Sequence, residues 1–75
     1  MTKLPALKPA EVIRMLQRAG YYVDHTTGSH YIMRHPHRPG RITVPYHGGR
    51  DIKRGILHSI IDQSGLSEEE FLELR

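Results

Sequence analysis

The spacing of apolar residues changes along this 75-residue chain, and each change marks an element. Val12, Leu16 and Ala19 recur at helical spacing with Ile13 and Met15 beside them, which predicts an amphipathic helix between Pro9 and Gly20. Pro9 suits the first helical position, where its missing N–H is no loss, and Gly20 suits a left-handed cap. Nothing periodic precedes Pro9, so residues 1–8 read as a short flexible lead. Tyr21-Tyr22-Val23-Asp24-His25 is rich in strand formers, Thr27-Gly28 predicts a turn, and Ser29 to Arg34 returns as the second strand of a hairpin. Pro36-His37-Arg38-Pro39-Gly40 reads as a loop, and Arg41-Ile42-Thr43-Val44-Pro45 alternates polar and apolar residues as a third strand that Pro45 ends. After the Gly48-Gly49 loop, Ile52, Ile56, Leu57, Ile60 and Ile61 form a second helical stripe closed by Gly65. Gly55 belongs in the first turn of that helix, with residues 52–54 as a bend before it, because a helix interior disfavours glycine. Ser67-Glu68-Glu69-Glu70 fits a capping box at the start of a short last helix carrying Phe71, Leu72 and Leu74.

This order predicts an α+β fold, α-β-β-β-α with a three-stranded antiparallel sheet, both long helices on one face and a short C-terminal helix. Two apolar stripes in so short a chain need one common sheet face, which leaves the other face to solvent or ligand. Double-stranded-RNA-binding domains use this topology. Residues 1–75 make one domain, and a chain this small buries little more than roughly 60% of the surface it exposes unfolded. Strand alternation groups His30 with Ile32 and Arg34 and sets Tyr31 with Met33, but leaves open which set points inward.

Charge changes the picture by its placement. Eleven Lys and Arg against eight Asp and Glu give a net charge of +3, and five of the acids (Asp62, Glu68, Glu69, Glu70, Glu73) lie in the last fourteen residues. Arg34, Arg38, Arg41, Arg50, Lys53 and Arg54 crowd the middle. Such a field attracts phosphates by releasing their counterions. The lack of cysteine removes disulfides and thiolate metal sites and suits a reducing, cytoplasmic setting. Apolar runs of two or three residues exclude a membrane-spanning helix, and the start Met1-Thr2-Lys3-Leu4-Pro5 lacks the apolar stretch of a signal peptide.

Gly28-Ser29-His30 carries the sharpest chemical signal, because neither the turn nor the strand it joins requires an imidazole. Histidine's ordinary pKa of about 6.5 lets it take and return protons near neutrality. On a half-exposed strand, His30 can serve as general base for the attack of an RNA 2′-hydroxyl on the adjacent phosphate, a reaction that needs neither metal nor cofactor. Arg34, Arg38 and Arg41 are candidates for a phosphate clamp, since a guanidinium pairs bidentately with phosphate oxygens. His47 or Tyr46, in the neighbouring loop, could supply the acid. The plain alternative is that His30 is a hairpin residue whose ring bonds a carbonyl. His35-Pro36-His37 matches no zinc spacing, and proline between two histidines belongs to an extended surface loop. Tyr21, Tyr22, Tyr31 and Tyr46 suit stacking on bases or plain sheet packing. Gly48-Gly49 lacks the Gly-Lys-Ser/Thr ending of a P-loop.

Gly28-Ser29-His30, the strand ending Arg34-His35-Pro36, Val44-Pro45-Tyr46-His47-Gly48-Gly49, Asp51-Ile52-Lys53, Gly55-x-Leu57, Ser59-Ile60-Ile61 and Gln63-x-Gly65-Leu66-Ser67 together resemble the HicA-type toxin family over nearly the whole chain. The resemblance implies a bacterial or archaeal mRNA interferase with a double-stranded-RNA-binding-like fold, its family histidine falling on His30. It also implies a HicB-type antitoxin that covers the active surface. Ser29, Arg34, Arg38, Arg41, His47, Lys53 and Arg54 are the candidate RNA contacts. Three positions depart from the family pattern, which usually has threonine at Ile56, a basic residue at Asp62 and alanine at Ser64. Ile56 removes a hydroxyl and Asp62 lowers the charge of the second helix, so the expected contacts shift toward the loops. Two other readings fit the residues: a non-catalytic RNA-binding module in which His30 only caps the turn, and a protein-interaction domain whose basic face meets an acidic partner.

Overall fold

The computed structural model describes residues 4–75. Helix α1 spans Pro9–Arg18, with Pro9 in its first turn and Glu11 accepting the Lys8 N–H. Val12, Ile13, Met15 and Leu16 are its buried face, and Gly20, at φ 99°, turns the chain out of it. Three antiparallel strands follow in the order β1 (Tyr22–Thr27), β2 (His30–His35), β3 (Arg38–Pro45). Helix α2 (Arg54–Ser64) ends on Gly65, whose φ of 76° is the left-handed conformation expected of it. Helix α3 (Glu68–Leu72) starts on Ser67, whose hydroxyl accepts the Glu70 N–H at 3.1 Å while Glu70 accepts the Ser67 N–H at 2.9 Å. The fold is therefore the expected double-stranded-RNA-binding-like α+β arrangement, with a third helix completing it.

Register settles the question that alternation left open. Val23, Met33 and Ile42 are paired across the sheet, as are Thr26, Tyr31 and Val44. Met33, Ile42 and Val44 lie in one core with residues of both long helices, so this set faces inward. His25, Ile32 and Thr43 form one row of the opposite face, and Thr27, His30 and Pro45 the next. His30 thus stands on the helix-free face. Ile32 is buried there too, separate from the main core.

Three sequence expectations are corrected. The first is the flexible lead over residues 1–8. Residues 1–3 lie outside the described residues, but Leu4 and Leu7 are buried in the core, the latter with no exposed surface. Leu7's carbonyl accepts the Ile52 N–H at 2.9 Å, and Lys8 pairs with Asp51 at 3.0 Å and donates to the Gly49 carbonyl. The apolar pair Leu4 and Leu7 has no periodic partner upstream, so pattern alone gives it no element, yet it caps the core edge beside Ile52. The second is the start of β3, which begins at Arg38 rather than Arg41. Between the pairs Met33–Ile42 and His35–Arg38 the register slips, and Gly40, at φ 85°, lies in that irregularity. Pro39 is tolerated because β3 is an edge strand with a side that needs no donor. The third is Ile56, expected in the apolar stripe but 38% exposed; the buried face of α2 is Leu57, Ile60, Ile61 and Ser64.

Ser64, fully buried, donates to the Ile61 carbonyl and accepts the Leu66 N–H, so its hydroxyl is satisfied within the helix end. Phe71 fills the space beneath α3, and its complete burial contributes about 1.5–3 kcal/mol.

Candidate catalytic and nucleic-acid site

The β1–β2 connection is a two-residue turn, Gly28-Ser29, in which Gly28 has φ 54° and Ser29 does not enter the positive region. This is the pattern of a type II′ hairpin, whose first central residue must tolerate positive φ and whose twist matches that of the strands. The turn makes His30 the first residue of β2, at a corner of the open face, exposed to solvent. The β2–β3 pairing continues one step beyond the strands, because the Tyr46 N–H donates to the Ser29 carbonyl at 2.6 Å. That bond directs the loop after Pro45 back across the end of β2.

The consequence is a pair of imidazoles. The rings of His30 and His47 meet edge to face, with centroids 6.3 Å apart and planes at 80°. Both residues are exposed. Tyr46, the other acid that the sequence suggests, goes elsewhere: it is partly buried against the core, and its ring lies 5.1 Å from that of Tyr31. Tyr31 and Tyr46 are therefore packing residues on the helix side of the sheet.

From His47 a shallow groove of about 160 Å³ runs over the β3–α2 loop, lined by Pro9, Pro45, Arg50, Asp51, Lys53 and Ile56 as well as His47. Its floor is apolar and its rim carries two cations. Asp51 is held by Lys8 at 3.0 Å, which leaves the charge of Arg50 and Lys53 to dominate. The loop is shaped by its own backbone: the Arg50 N–H donates to the His47 carbonyl at 3.1 Å, with Gly48 at φ 58° between them.

The sequence-derived candidates divide into those that join this region and those that do not. His47 and Lys53 line it, His30 adjoins it through the His47 ring, and Ser29 borders it through its carbonyl. Arg34 shares the open face with His30 but leans on Asp24, its Nε 3.7 Å from the carboxylate. Arg41 alternates with the inward Ile42 and is exposed farther along β3, beside the Pro39-Gly40 irregularity. Arg54 lines a separate depression with Leu4, Pro5, Ala6, Ile52 and Leu57. Arg38 is on the other side of the sheet, where it donates to the Ser64 carbonyl at the end of α2. The three arginines expected to form one clamp are thus dispersed. Arg38, read as a loop residue in the sequence, lies in β3 in step with the inward Ile42 and so parts from Arg34.

Arg50 is one cation among several in the sequence and does not stand out there as a site residue, although it sits three residues after His47 across two glycines, the spacing of a closed turn. Tyr22, 46% exposed, stands on the open face opposite Arg34. His35 and His37 are used locally: His35 Nδ1 accepts the His37 N–H at 3.1 Å, and its ring meets Tyr21 edge-on at 5.0 Å. Among the described residues no three His, Asp or Glu side chains converge as metal ligands, and no helix is long and apolar enough to cross a membrane.

No curated protein matches the chain. The family model for the HicA toxin of bacterial toxin–antitoxin systems matches residues 9–66. That stretch runs from the first residue of α1 past the glycine that closes α2, and it contains the hairpin turn, both imidazoles and the cationic loop. A match over this much of the chain, on this fold, establishes that the protein belongs to the HicA toxin family and is a toxin of a toxin–antitoxin system.

Proposed function

We propose that this toxin is an endoribonuclease acting on messenger RNA, with His30 as general base. The observation that carries the reading is the exposed His30 ring on the helix-free face, beside His47, which in turn lines a groove with Arg50 and Lys53. A neutral imidazole within hydrogen-bond reach of a ribose 2′-hydroxyl takes its proton as the oxygen attacks the adjacent phosphorus. The cationic rim balances charge that grows on the nonbridging oxygens, and in many such reactions this electrostatic stabilisation lowers the barrier more than any other effect. The products are a 2′,3′-cyclic phosphate and a 5′-hydroxyl. RNA supplies its own nucleophile, so the chemistry asks for no cofactor.

The family also supplies the rest of the reading: a HicB-type antitoxin, encoded alongside, that holds the toxin inactive by covering the face that carries His30, in the cytoplasm where message is found. The open sheet face is well suited to a protein lid. It carries Tyr22, His25, His30 and Arg34, and among the described residues no helix packs against it.

The test is incubation of purified protein with a single-stranded RNA in the presence of a chelator. Fragments ending in 2′,3′-cyclic phosphate, lost in His30→Ala while the fold is retained, are expected. Retention by the protein of intact RNA identifies it instead as a non-catalytic RNA-binding module. No interaction with RNA even at low salt points to a basic face made for an acidic protein.

A further inference from the structure

We propose that His47 is the general acid of the cleavage reaction, protonating the leaving 5′-oxygen while His30 deprotonates the 2′-hydroxyl. The assignment rests on the ribonuclease reading above and deepens it. Attack by the 2′-oxygen has two proton demands, one on each side of the phosphorus, and a single base meets only the first. An alkoxide leaving group expelled without a proton is the costlier half of the reaction, so a second group of matched acidity is expected where the first is found.

The geometry points to one residue. Two imidazoles with centroids 6.3 Å apart are close enough for one phosphodiester laid across them to reach both. Each ring then reaches one of the two reacting oxygens through a hydrogen bond of about 2.6–3.2 Å. The rings stand at 80° to each other rather than stacked, so their nitrogens can address different sides of one phosphorus. Tyr46 is turned to Tyr31 on the other side of the sheet. Tyr31 itself is half-buried there. His25, the remaining imidazole on the open face, is held by Asp24 at 2.7 Å and lies on β1, a strand away. His47 is also fixed in place on both sides: Pro45 precedes it with β3 pairing, and the Arg50 N–H closes the turn on its carbonyl.

The step balances. The proton of the 2′-hydroxyl passes to a nitrogen of His30, the O2′–P bond forms, the P–O5′ bond breaks, and a proton held by His47 goes to O5′. The two imidazoles finish with exchanged protonation and recover through solvent. The groove beyond His47, with Pro9, Pro45 and Ile56 as its floor and Arg50 and Lys53 on its rim, then receives the nucleotide that departs.

A leaving-group substitution separates this role from a binding role. Two oligonucleotides of one sequence are compared, one natural and one with sulfur in place of the 5′-bridging oxygen at a single cleavable linkage. A thiolate leaves without a proton, so it needs no acid. His47→Ala should cleave natural RNA at least about 100-fold more slowly than wild type, the usual size of an acid's contribution, yet cleave the thio-linked RNA at nearly the wild-type rate. His30→Ala should lose both. Equal losses of His47→Ala on the two substrates, or no loss on either, overturn the assignment and leave His30 standing. A wild-type protein that leaves both substrates intact overturns the ribonuclease reading, and the assignment with it. Both histidines are exposed, so thermal unfolding of each variant should match wild type and confirm that folding is not what changed.

Discussion

Leu7→Ala is the most direct test of how the site is supported. Leu7 has no exposed surface and lies in the core cluster with residues from both long helices and β3. Truncating a fully buried leucine costs about 2–5 kcal/mol, the lost transfer energy plus the unfilled cavity. A domain of this length has a total stability of about 4–11 kcal/mol, so the loss is a large share of it. The melting temperature should fall by at least about 8 °C. The backbone at Leu7 also holds the Ile52 N–H, and Lys8 next to it holds Asp51 and Gly49, so the segment braces the loop that carries His47, Arg50 and Lys53. Thermal or urea unfolding followed by circular dichroism measures the cost, with Ala6→Ser, an exposed neighbour, as the control. A drop below about 1 kcal/mol in Leu7→Ala would refute the reasoning, because it would mean that the lead is loose in solution and lends nothing to the core.

Two further outcomes follow from particular contacts. Arg38→Ala, which removes the bond to the Ser64 carbonyl, should cost about 1 kcal/mol of stability and leave the salt dependence of RNA binding unchanged. Lys53→Ala should do the reverse, changing stability by under about 0.5 kcal/mol and flattening the slope of log affinity against log salt by about 1. In the α3 capping box, the Ser67 backbone N–H, and then its hydroxyl, hold the Glu70 carboxyl below its usual range. A depressed acid stabilises the fold above its unfolded pKa of about 4.3 and loses that contribution as pH falls through the folded value. Wild type should therefore melt above Glu70→Gln at pH 7, and the gap should close below about pH 4; a gap that does not move with pH would show that the charge plays no part.

Periodicity revealed the elements because their buried faces are strongly periodic. Val12, Leu16, Leu57, Ile60 and Ile61 are all inside, and the Ser67 cap and the Gly65 stop fall where local chemistry puts them. What pattern could not supply was anything set by pairing across strands. Ile32 and Met33 are adjacent, apolar and both buried, on opposite faces, so neither composition nor alternation tells which one shares the core; only the register with Ile42 does. The extension of β3 back to Arg38 likewise depends on pairing: it sets Arg38, in step with the inward Ile42, opposite His35 and behind the sheet. The place of His30 at the head of β2 was legible because a glycine turn announces it. The approach of His47 to it was not, since that depends on the Tyr46-to-Ser29 hydrogen bond, a contact seventeen residues apart in sequence.

A three-stranded sheet has two free borders, and unpaired strand borders are where small proteins adhere to one another. Both borders here are interrupted. Along β3, Pro39 and Pro45 present no donor and Gly40 bends the backbone; along β1, the ladder is broken at Asp24, which carries a charge at the kink. These interruptions disfavour the in-register addition of a further strand along either side.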